Sequence, residues 1–357
     1  MASTRALRRG RFESLEQRQL LAGDVSVNVV DGNLMIEGDE FDNKIMITAG
    51  TEADTLVITG LDGTNLLEEG QPAVSEVTVA GVHGATVELG EGDDLIAIVG
   101  AELRGKIAID TGAGEDRVLV GTGGDAAELV GQLPEDLAVE VRGSLRIDSG
   151  GDNDQISVDD AIVRGRLGIN AGEGDDVVSL GAATDDDVSA RLQSRGGVGV
   201  HLGDGDDELN VHQLSARGIV RVHGSMGDDT IDASRIHASA MLLLGGDGLD
   251  TLSLVELDVR RLGIHTGADH DSVDVRDSVF TALGVALGDG DDTLTTANLE
   301  ARVARLHGGE GEDTLDVVGG NDFAHEVIRG FEIPPDVNTH GMSFARRPFA
   351  RLLRRVH

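Results

Sequence analysis

The chain has 357 residues, with no Cys, Trp or Tyr, and a formal net charge of −36 at pH 7. Without cysteine, disulfides and thiolate metal sites are excluded, and no run of 18 apolar residues predicts a membrane-spanning segment. Residues 23–338 hold 19 basic residues, scattered along the sequence, against 63 acidic ones, a net of −44. This balance argues against nucleic acid as a partner and favours a multivalent cation. An acidic, solvated surface with nothing bound is the alternative.

Residues 1–24 are predicted to be a basic, disordered leader. Within it, Leu15-Glu16-Gln17-Arg18-Gln19-Leu20-Leu21 resembles the LEPR-XLL signature found near the N-terminus of large bacterial surface proteins. Gln17 stands where that family usually has Pro, and the resemblance covers only this short segment. It implies an extracellular or cell-surface location. A leader with no such signal is the alternative.

Residues 25–90 are predicted to form N-terminal β-rungs. Alternating apolar and polar runs such as Lys44–Thr48 and Thr55–Thr59 are bounded by Gly, Asp or Asn, which is typical of strands in all-β proteins. The segment Gly38–Asn43 resembles a degenerate copy of the turn that dominates the rest of the chain.

That turn, Gly-x-Gly-x-Asp-x-apolar, recurs through residues 91–320. Its second Gly position falls at 92, 114, 152, 174, 205, 227, 248, 269, 290 and 311, with spacings of 22, 38, 22, 31, 22, 21, 21, 21 and 21. The two long intervals are 22-residue units that contain insertions near 121–137 and 182–194. A period that persists through nine intervals predicts a repeat architecture.

Apolar residues occur at fixed offsets from each turn and alternate with polar ones, as in strands. Short strands repeated in register bury their apolar faces only when equivalent strands stack about 4.8 Å apart. The sequence therefore predicts an all-β fold, a right-handed parallel β-helix, or solenoid, of about ten regular rungs plus N-terminal strands. Residues 321–357 are predicted to form a cap and a basic tail.

Carboxylates dominate the turn: its Asp is present in all ten copies, and the residue before it is acidic in seven. Stacked about 4.8 Å apart, two unit charges repel by roughly 1 kcal/mol in water and by more in a medium of lower dielectric. Calcium, with six to eight oxygen ligands from carboxylates and carbonyls, would neutralise them. The predicted ligands are Asp93, Asp94, Asp116, Asp175, Asp176, Asp206, Asp207, Asp228, Asp229, Asp250, Asp291, Asp292, Glu312 and Asp313.

The turn resembles the RTX, or hemolysin-type, calcium-binding repeat, whose nonapeptide is Gly-Gly-x-Gly-x-Asp-x-apolar-x. Gly308–Asp316 and Gly245–Ser253 match it in full. The resemblance implies calcium bound between stacked turns. Here the motif occurs once per rung instead of in tandem, so a single edge of the solenoid would carry the sites. The alternative is that Asp only closes each turn by hydrogen bonds from the backbone to its side chain.

Four histidines, His201, His223, His265 and His307, all lie four residues before the second Gly position. Strand alternation places them on the outside of the solenoid. We interpret them as an exposed column, with a transition-metal site as the alternative.

These observations predict a non-enzymatic, secreted or cell-surface protein with a structural or adhesin-like role, stiffened by calcium and able to contact a surface or matrix partner. No catalytic residues are predicted. The alternative is a β-helical polysaccharide lyase or hydrolase, which would need a cleft with convergent acid and base groups.

Overall fold

The computed structural model describes residues 23–121, 138–181 and 192–332. Most of the predicted leader, both insertions in large part, and the basic tail lie outside these residues. The described residues form 34 strands and no α-helix, so they contain no helix able to span a membrane. Most strands belong to about ten turns of a β-solenoid with parallel pairing, which confirms the predicted fold class.

The strands fall into two sheets. A 14-stranded sheet consists of β3 (Lys44–Ala49), β4 (Thr55–Gly60), β6 (Glu76–Ala80), β8 (Leu95–Val99), β11 (Arg117–Val120), β14 (Gln155–Val158), β17 (Val177–Leu180), β20 (Glu208–His212), β22 (Thr230–Ser234), β24 (Thr251–Val255), β27 (Ser272–Arg276), β29 (Thr293–Ala297), β31 (Asp313–Val317) and β34 (Phe331–Glu332).

A 20-stranded sheet consists of β1 (Asp24–Val30), β2 (Asn33–Glu37), β5 (Asn65–Leu67), β7 (Gly84–Glu91), β9 (Glu102–Leu103), β10 (Ile107–Ala113), β12 (Val139–Val141), β13 (Leu145–Gly151), β15 (Ala161–Val163), β16 (Leu167–Glu173), β18 (Leu192–Ser194), β19 (Val198–Asp204), β21 (Leu214–Met226), β23 (His237–Asp247), β25 (Asp258–Val259), β26 (Arg261–Ala268), β28 (Val279–Asp289), β30 (Glu300–Glu310), β32 (Asp322–Phe323) and β33 (Glu326–Arg329).

Each regular rung contributes a short and a long segment to the 20-stranded sheet and one strand to the 14-stranded sheet. The Gly-x-Gly-x-Asp turn, which we call the acid corner, joins the long segment to the 14-stranded sheet. Equivalent residues face each other in successive rungs: Ile109 pairs with Ile147, and Val118 pairs with Ile156. The register therefore stacks every copy of the acid corner along one edge of the solenoid.

The core is a continuous stack of aliphatic side chains between the two sheets. The apolar residue four positions after the second Gly is buried in every copy, as predicted: Ile96, Val118, Ile156, Val178, Leu209, Ile231, Leu252, Val273, Leu294 and Leu315. Because successive strand residues point to opposite faces, their polar neighbours lie outside.

The N-terminal strands add antiparallel pairs to the first rung. Strand β1 pairs antiparallel with β2, and β3 pairs antiparallel with β4. The β1–β2 connection is Asp31-Gly32, with φ of 50° and 79°, the backbone of a two-residue hairpin turn. Strands β2 and β3 in turn pair in parallel with β7 and β8, so these hairpins cover one open end of the solenoid.

The change of period from 22 to 21 residues has a local cause. Every interval up to Gly227 contains an Arg-Gly pair between the short and long segments of the 20-stranded sheet, which we call the arginine corner. Between Ala216 and Ile219 the register with β23 shifts, so that two residues oppose one. Later rungs lack the extra residue. The five pairs are Arg104-Gly105, Arg142-Gly143, Arg164-Gly165, Arg195-Gly196 and Arg217-Gly218.

Candidate functional site

The acid corner depends on glycine because its backbone is left-handed and tightly stacked. Gly309 and Gly311 have φ of 142° and 132°, a region that side-chain-bearing residues rarely adopt. A Cβ on Gly309 would also overlap the carbonyl oxygen of Gly288 in the preceding rung, and one on Gly311 would overlap that of Gly290. The glycines therefore let consecutive corners approach closely enough for their Asp residues to contact each other's backbone.

The motif Asp residues form an inner column of ten buried carboxylates, each 0–3 % exposed. In nine of the ten copies, Oδ1 accepts a hydrogen bond from the backbone N–H of the inner Asp in the preceding rung, over 2.8–3.1 Å. The column comprises Asp94, Asp116, Asp154, Asp176, Asp207, Asp229, Asp250, Asp271, Asp292 and Asp313. One oxygen of each carboxylate thus closes the stack, as the turn-closing alternative requires.

Asn43 begins this column, in the first rung. Its backbone N–H donates to Oδ1 of Asp94 over 2.6 Å, and its side chain is fully buried. The side-chain amide Nδ2 donates to the carbonyl oxygens of Phe41 over 2.6 Å and Leu89 over 3.3 Å. At this one position the side chain therefore offers a donor to the carbonyls around it.

In the other rungs the second carboxylate oxygen has no such donor. Oδ2 of all ten inner Asp residues is buried without a hydrogen-bond partner among the described residues. Around the position that a Cβ on Gly245 would occupy lie both Oδ2 of Asp250 and, at 2.5 Å, the carbonyl oxygen of Thr266. Two acceptors therefore lie close to the same point, with no hydrogen-bond donor to the Asp250 oxygen among the described residues, an arrangement that favours a proton or a cation nearby.

Hydroxyl groups beside three of the inner carboxylates do not remove this deficit. Thr111, Ser149 and Thr266 each lower the pKa of the neighbouring inner Asp. Their hydroxyls, however, donate to backbone carbonyls of the next rung, over 2.8–3.2 Å. The hydroxyl hydrogen is therefore already used, and Oδ2 still lacks a donor.

Burial raises the pKa of every inner carboxyl above its ordinary value, since desolvation disfavours the charged form. The pKa of Asp94 rises to about 8, that of Asp229 to about 7 and that of Asp116 to about 6. Like-charged neighbours in the column add to the rise, and the amide hydrogen bonds oppose it. Near neutral pH the column thus holds carboxylates that favour a proton or another positive charge.

The residues before the inner Asp form an outer column, which is exposed throughout. Its hydrogen bonds run in the opposite direction, because in eight of the ten rungs the backbone N–H donates to the side chain of the preceding rung. Asp206 N–H donates to Asp175 over 2.9 Å, and Asp228 N–H donates to Asp206 over 2.8 Å. Each rung is therefore held to both neighbours at the same corner.

The outer column tolerates substitution. Asn153 still accepts from the N–H of Asp175, and His270 accepts through Nδ1 from the N–H of Asp291 over 2.7 Å. Leu249 has no acceptor at all, yet its own N–H donates to Asp228 over 2.7 Å. The seven acidic members are Asp93, Glu115, Asp175, Asp206, Asp228, Asp291 and Glu312.

The predicted calcium ligands thus divide between the two columns of the acid corner. No three His, Asp or Glu side chains of the described residues converge to hold a metal ion. A cation here would need backbone carbonyl oxygens as well as carboxylates, a mixed oxygen donor set that calcium accepts. The buried Oδ2 atoms beside carbonyl oxygens fit that chemistry.

The four predicted histidines are exposed, as strand alternation requires. His201 and His223 pair in adjacent strands and stack with ring centroids 5.0 Å apart, while Leu244 and Ala286 separate the other two from them and from each other. Nδ1 of His223 lies 2.9 Å from Oγ of Ser225.

The structure corrects one interpretation of the sequence, in which the basic residues of the body are scattered. Five of them form the arginine corner, one per rung in five successive rungs. The signal was present, since each Arg lies ten residues before a second Gly position. This signal was not used in the prediction, because only apolar and acidic residues were compared at fixed distances from the second Gly position.

Comparison with protein families, with curated proteins and with solved structures found no match to this chain.

Proposed function

We propose that this protein is a non-enzymatic structural or adhesin-like solenoid of the cell surface or the extracellular space, and that calcium binds along its acid corner. The supporting observation is the inner column, in which ten buried carboxylates each present one oxygen without a hydrogen-bond donor. Asn43, the uncharged first member, has an amide donor in place of one of the two carboxylate oxygens, and that donor bonds to the carbonyl oxygen of Phe41. The charged members need a proton or a cation instead.

The residues that would hold calcium are the inner Asp, the exposed acidic residue before it, and carbonyl oxygens of the next rung, such as that of Thr266 beside Asp250. Bound calcium would supply positive charge without directional hydrogen bonds. The chain itself supplies the rest: the inner Oδ1 atoms fix the spacing of the corners, and the glycines expose their carbonyls. A cation bound only by the folded stack stabilises it by mass action.

The test is the thermal unfolding of metal-free protein at neutral pH, followed by circular dichroism and calorimetry. We expect added calcium to raise the Tm and to give a saturable heat of binding, and excess chelator to lower the Tm again. An identical Tm in calcium and in chelator would refute the calcium proposal. Magnesium serves as a control for general screening, because it dehydrates reluctantly.

Matched variants locate the site. The double variant Asp228→Asn and Asp229→Asn keeps a side-chain hydrogen-bond acceptor in both the inner and the outer column but removes two charges from one acid corner. We expect it to bind fewer calcium ions and to show a smaller rise in Tm. The control is Asp232→Asn, which removes an exposed carboxylate from β22, away from the corner. An equal calcium response in both variants would place calcium elsewhere.

The non-enzymatic part of the proposal has its own assay. Incubation with a panel of acidic and neutral polysaccharides is expected to release no new reducing ends and no unsaturated products. Turnover of any of them would favour the lyase or hydrolase alternative.

A further inference from the structure

A shallow groove lies on the outer face of the 20-stranded sheet, away from the acid corner. Its volume is about 490 Å³, and Arg146, Arg166 and Arg221 line it together with Asn170 and His201. That volume is within the range of small-molecule sites, roughly 300–1,000 Å³. Three guanidinium groups around one groove are unexpected on a chain with a net charge of −36.

The strand register builds the groove. Arg146, Gly168, Gly199 and Arg221 occupy the same outward position in four successive rungs. Two positions without side chains therefore lie between two arginines, about 14 Å apart at a strand spacing of about 4.8 Å. A Cβ on Gly168 would meet no heavy atom within 4 Å, so the floor is open to solvent.

Arg166 reaches over this floor from two residues before Gly168. Its Nη2 atom lies 3.0 Å from the position that a Cβ on Gly199 would occupy. The absence of a side chain at Gly199 thus gives the guanidinium its place, and any larger residue there would displace it.

The charges at the groove are only partly balanced. Arg146 is paired with Asp148 at 2.6 Å. Within the described part of the chain, neither Arg166 nor Arg221 forms an ion pair, and both are exposed. Arg195 and Arg217 of the adjoining arginine corner also lack ion pairs among the described residues. By contrast, Arg142 and Arg164 of the same corner pair with Glu140.

Guanidinium groups bind carboxylate, sulfate and phosphate through paired N–H donors. No Trp, Tyr or Phe lines the groove, and the ring of His201 already stacks on that of His223, so the groove offers a nucleobase no free aromatic platform. The net negative charge of the whole molecule opposes a long polyanion, but screening confines this effect to about 8 Å at physiological salt. We propose that the groove binds a small ligand through one oxyanion group, held between Arg166 and Arg221.

The inference does not depend on calcium, and calorimetric titration at low ionic strength tests it. The probes are inorganic sulfate, inorganic phosphate and galacturonate, with neutral galactose as the control. We expect saturable binding of at least one anion, and the preferred one distinguishes a free inorganic ion from a carboxylated sugar. Absence of saturable binding up to about 10 mM would overturn the proposal, as would galactose binding as tightly as galacturonate.

Charge variants assign the binding to the groove. The double variant Arg166→Gln and Arg221→Gln is expected to weaken binding roughly tenfold or more, since charge-assisted hydrogen bonds are lost. Arg302→Gln and Arg305→Gln remove two exposed arginines from β30 as a matched control, with affinity expected to stay within about twofold. Equal losses in both double variants would show a nonspecific charge effect and overturn the site.

A second pair of variants tests the floor without changing any charge. Gly168→Leu fills the open space between the arginines, and the backbone there is not left-handed. Gly284→Leu occupies the same outward column in a rung without the groove, where a Cβ would meet only the carbonyl oxygen of Leu262, at 4.0 Å. We expect loss of binding only in the first variant. Retained binding in folded Gly168→Leu protein, judged by circular dichroism, would contradict the proposal.

Discussion

The acid corner and the arginine corner lie on the same rungs but contribute differently. The acid corner is present in all ten regular copies, while the arginine corner ends at Gly218, where the rung shortens by one residue. At the acid corner, the inner Asp side chains are buried and hold neighbouring backbones together. At the arginine corner, the guanidinium groups are exposed. The comparison predicts that the acid corner contributes more to the stability of the solenoid than the arginine corner, whose guanidinium groups form an exposed surface.

The largest expected difference between the two corners is in how stability depends on pH, because all ten inner carboxylates of the acid corner titrate together. Their folded pKa values, about 6 to 8 where Asp94, Asp116 and Asp229 are concerned, lie above the unfolded value of about 3.9. Their contribution to stability is thus fully present below about pH 4 and is lost as pH rises through 6 to 8. We expect metal-free protein to unfold at lower denaturant concentration at pH 8.5 than at pH 5.

Denaturant unfolding in excess chelator measures this effect directly. Equal or greater stability at pH 8.5 than at pH 5 would contradict the conclusion that the charged inner carboxylates destabilise the folded protein. Replacing Asp232, an exposed carboxylate of β22 away from the acid corner, by Asn serves as a control that should leave the pH profile unchanged.

A smaller effect is expected from single substitutions within the acid corner. Asp229→Ala leaves the N–H of Asp207 buried without its acceptor, at a cost of about 1–3 kcal/mol in the free energy of unfolding. Asp228→Ala removes the acceptor of the Leu249 N–H at an exposed position, where water replaces it, and should cost no more than about 0.5 kcal/mol. Equilibrium unfolding of the two variants under identical conditions, in chelator, checks the difference. Equal losses would show that burial does not separate the two columns.

The smallest effect is expected at the arginine corner. Arg195→Ala removes an exposed guanidinium that has no ion pair among the described residues, and we expect the free energy of unfolding to change by no more than about 0.5 kcal/mol. Arg164→Ala is the matched comparison, since Arg164 contacts Glu140, although exposed pairs also contribute little, about 0–1 kcal/mol. A loss above 2 kcal/mol in either variant would make the arginine corner a structural element.

The sequence predicts the solenoid well because its signals are local and periodic. Alternation places Ile96, Val118 and their equivalents inside, and the turn spacing sets the register of the stack. The separation of inner from outer carboxylates was not predictable from residue type alone, since Asp228 and Asp229 are chemically identical and differ only in which way the turn directs them. Left-handed glycines and a tight stack decide that direction.

The groove was harder to predict. Arg146, Gly168, Gly199 and Arg221 are unremarkable in the sequence, and only the strand register places them in one column. The antiparallel hairpins at the N-terminus also follow from tertiary packing, although Asp31-Gly32 is a recognisable hairpin signal. Contacts between rungs can be predicted only when the strand register is known. The period sets that register except where the insertions near 121–137 and 182–194 interrupt it.

The hydrogen bonds of the inner and outer columns run in opposite directions along the solenoid, and this has a consequence for how such a chain can change length. Most rungs donate one amide forward to the inner carboxylate of the next rung and one backward to the outer side chain of the preceding rung. A duplicated 21-residue segment placed between Asp271 and Asp313 would find both kinds of partner already in position, since His270 and Asp291 accept in the outer column and Asp292 and Asp313 in the inner one. We therefore expect the number of rungs to change by whole 21-residue units, with the contacts at both ends of the solenoid left as they are.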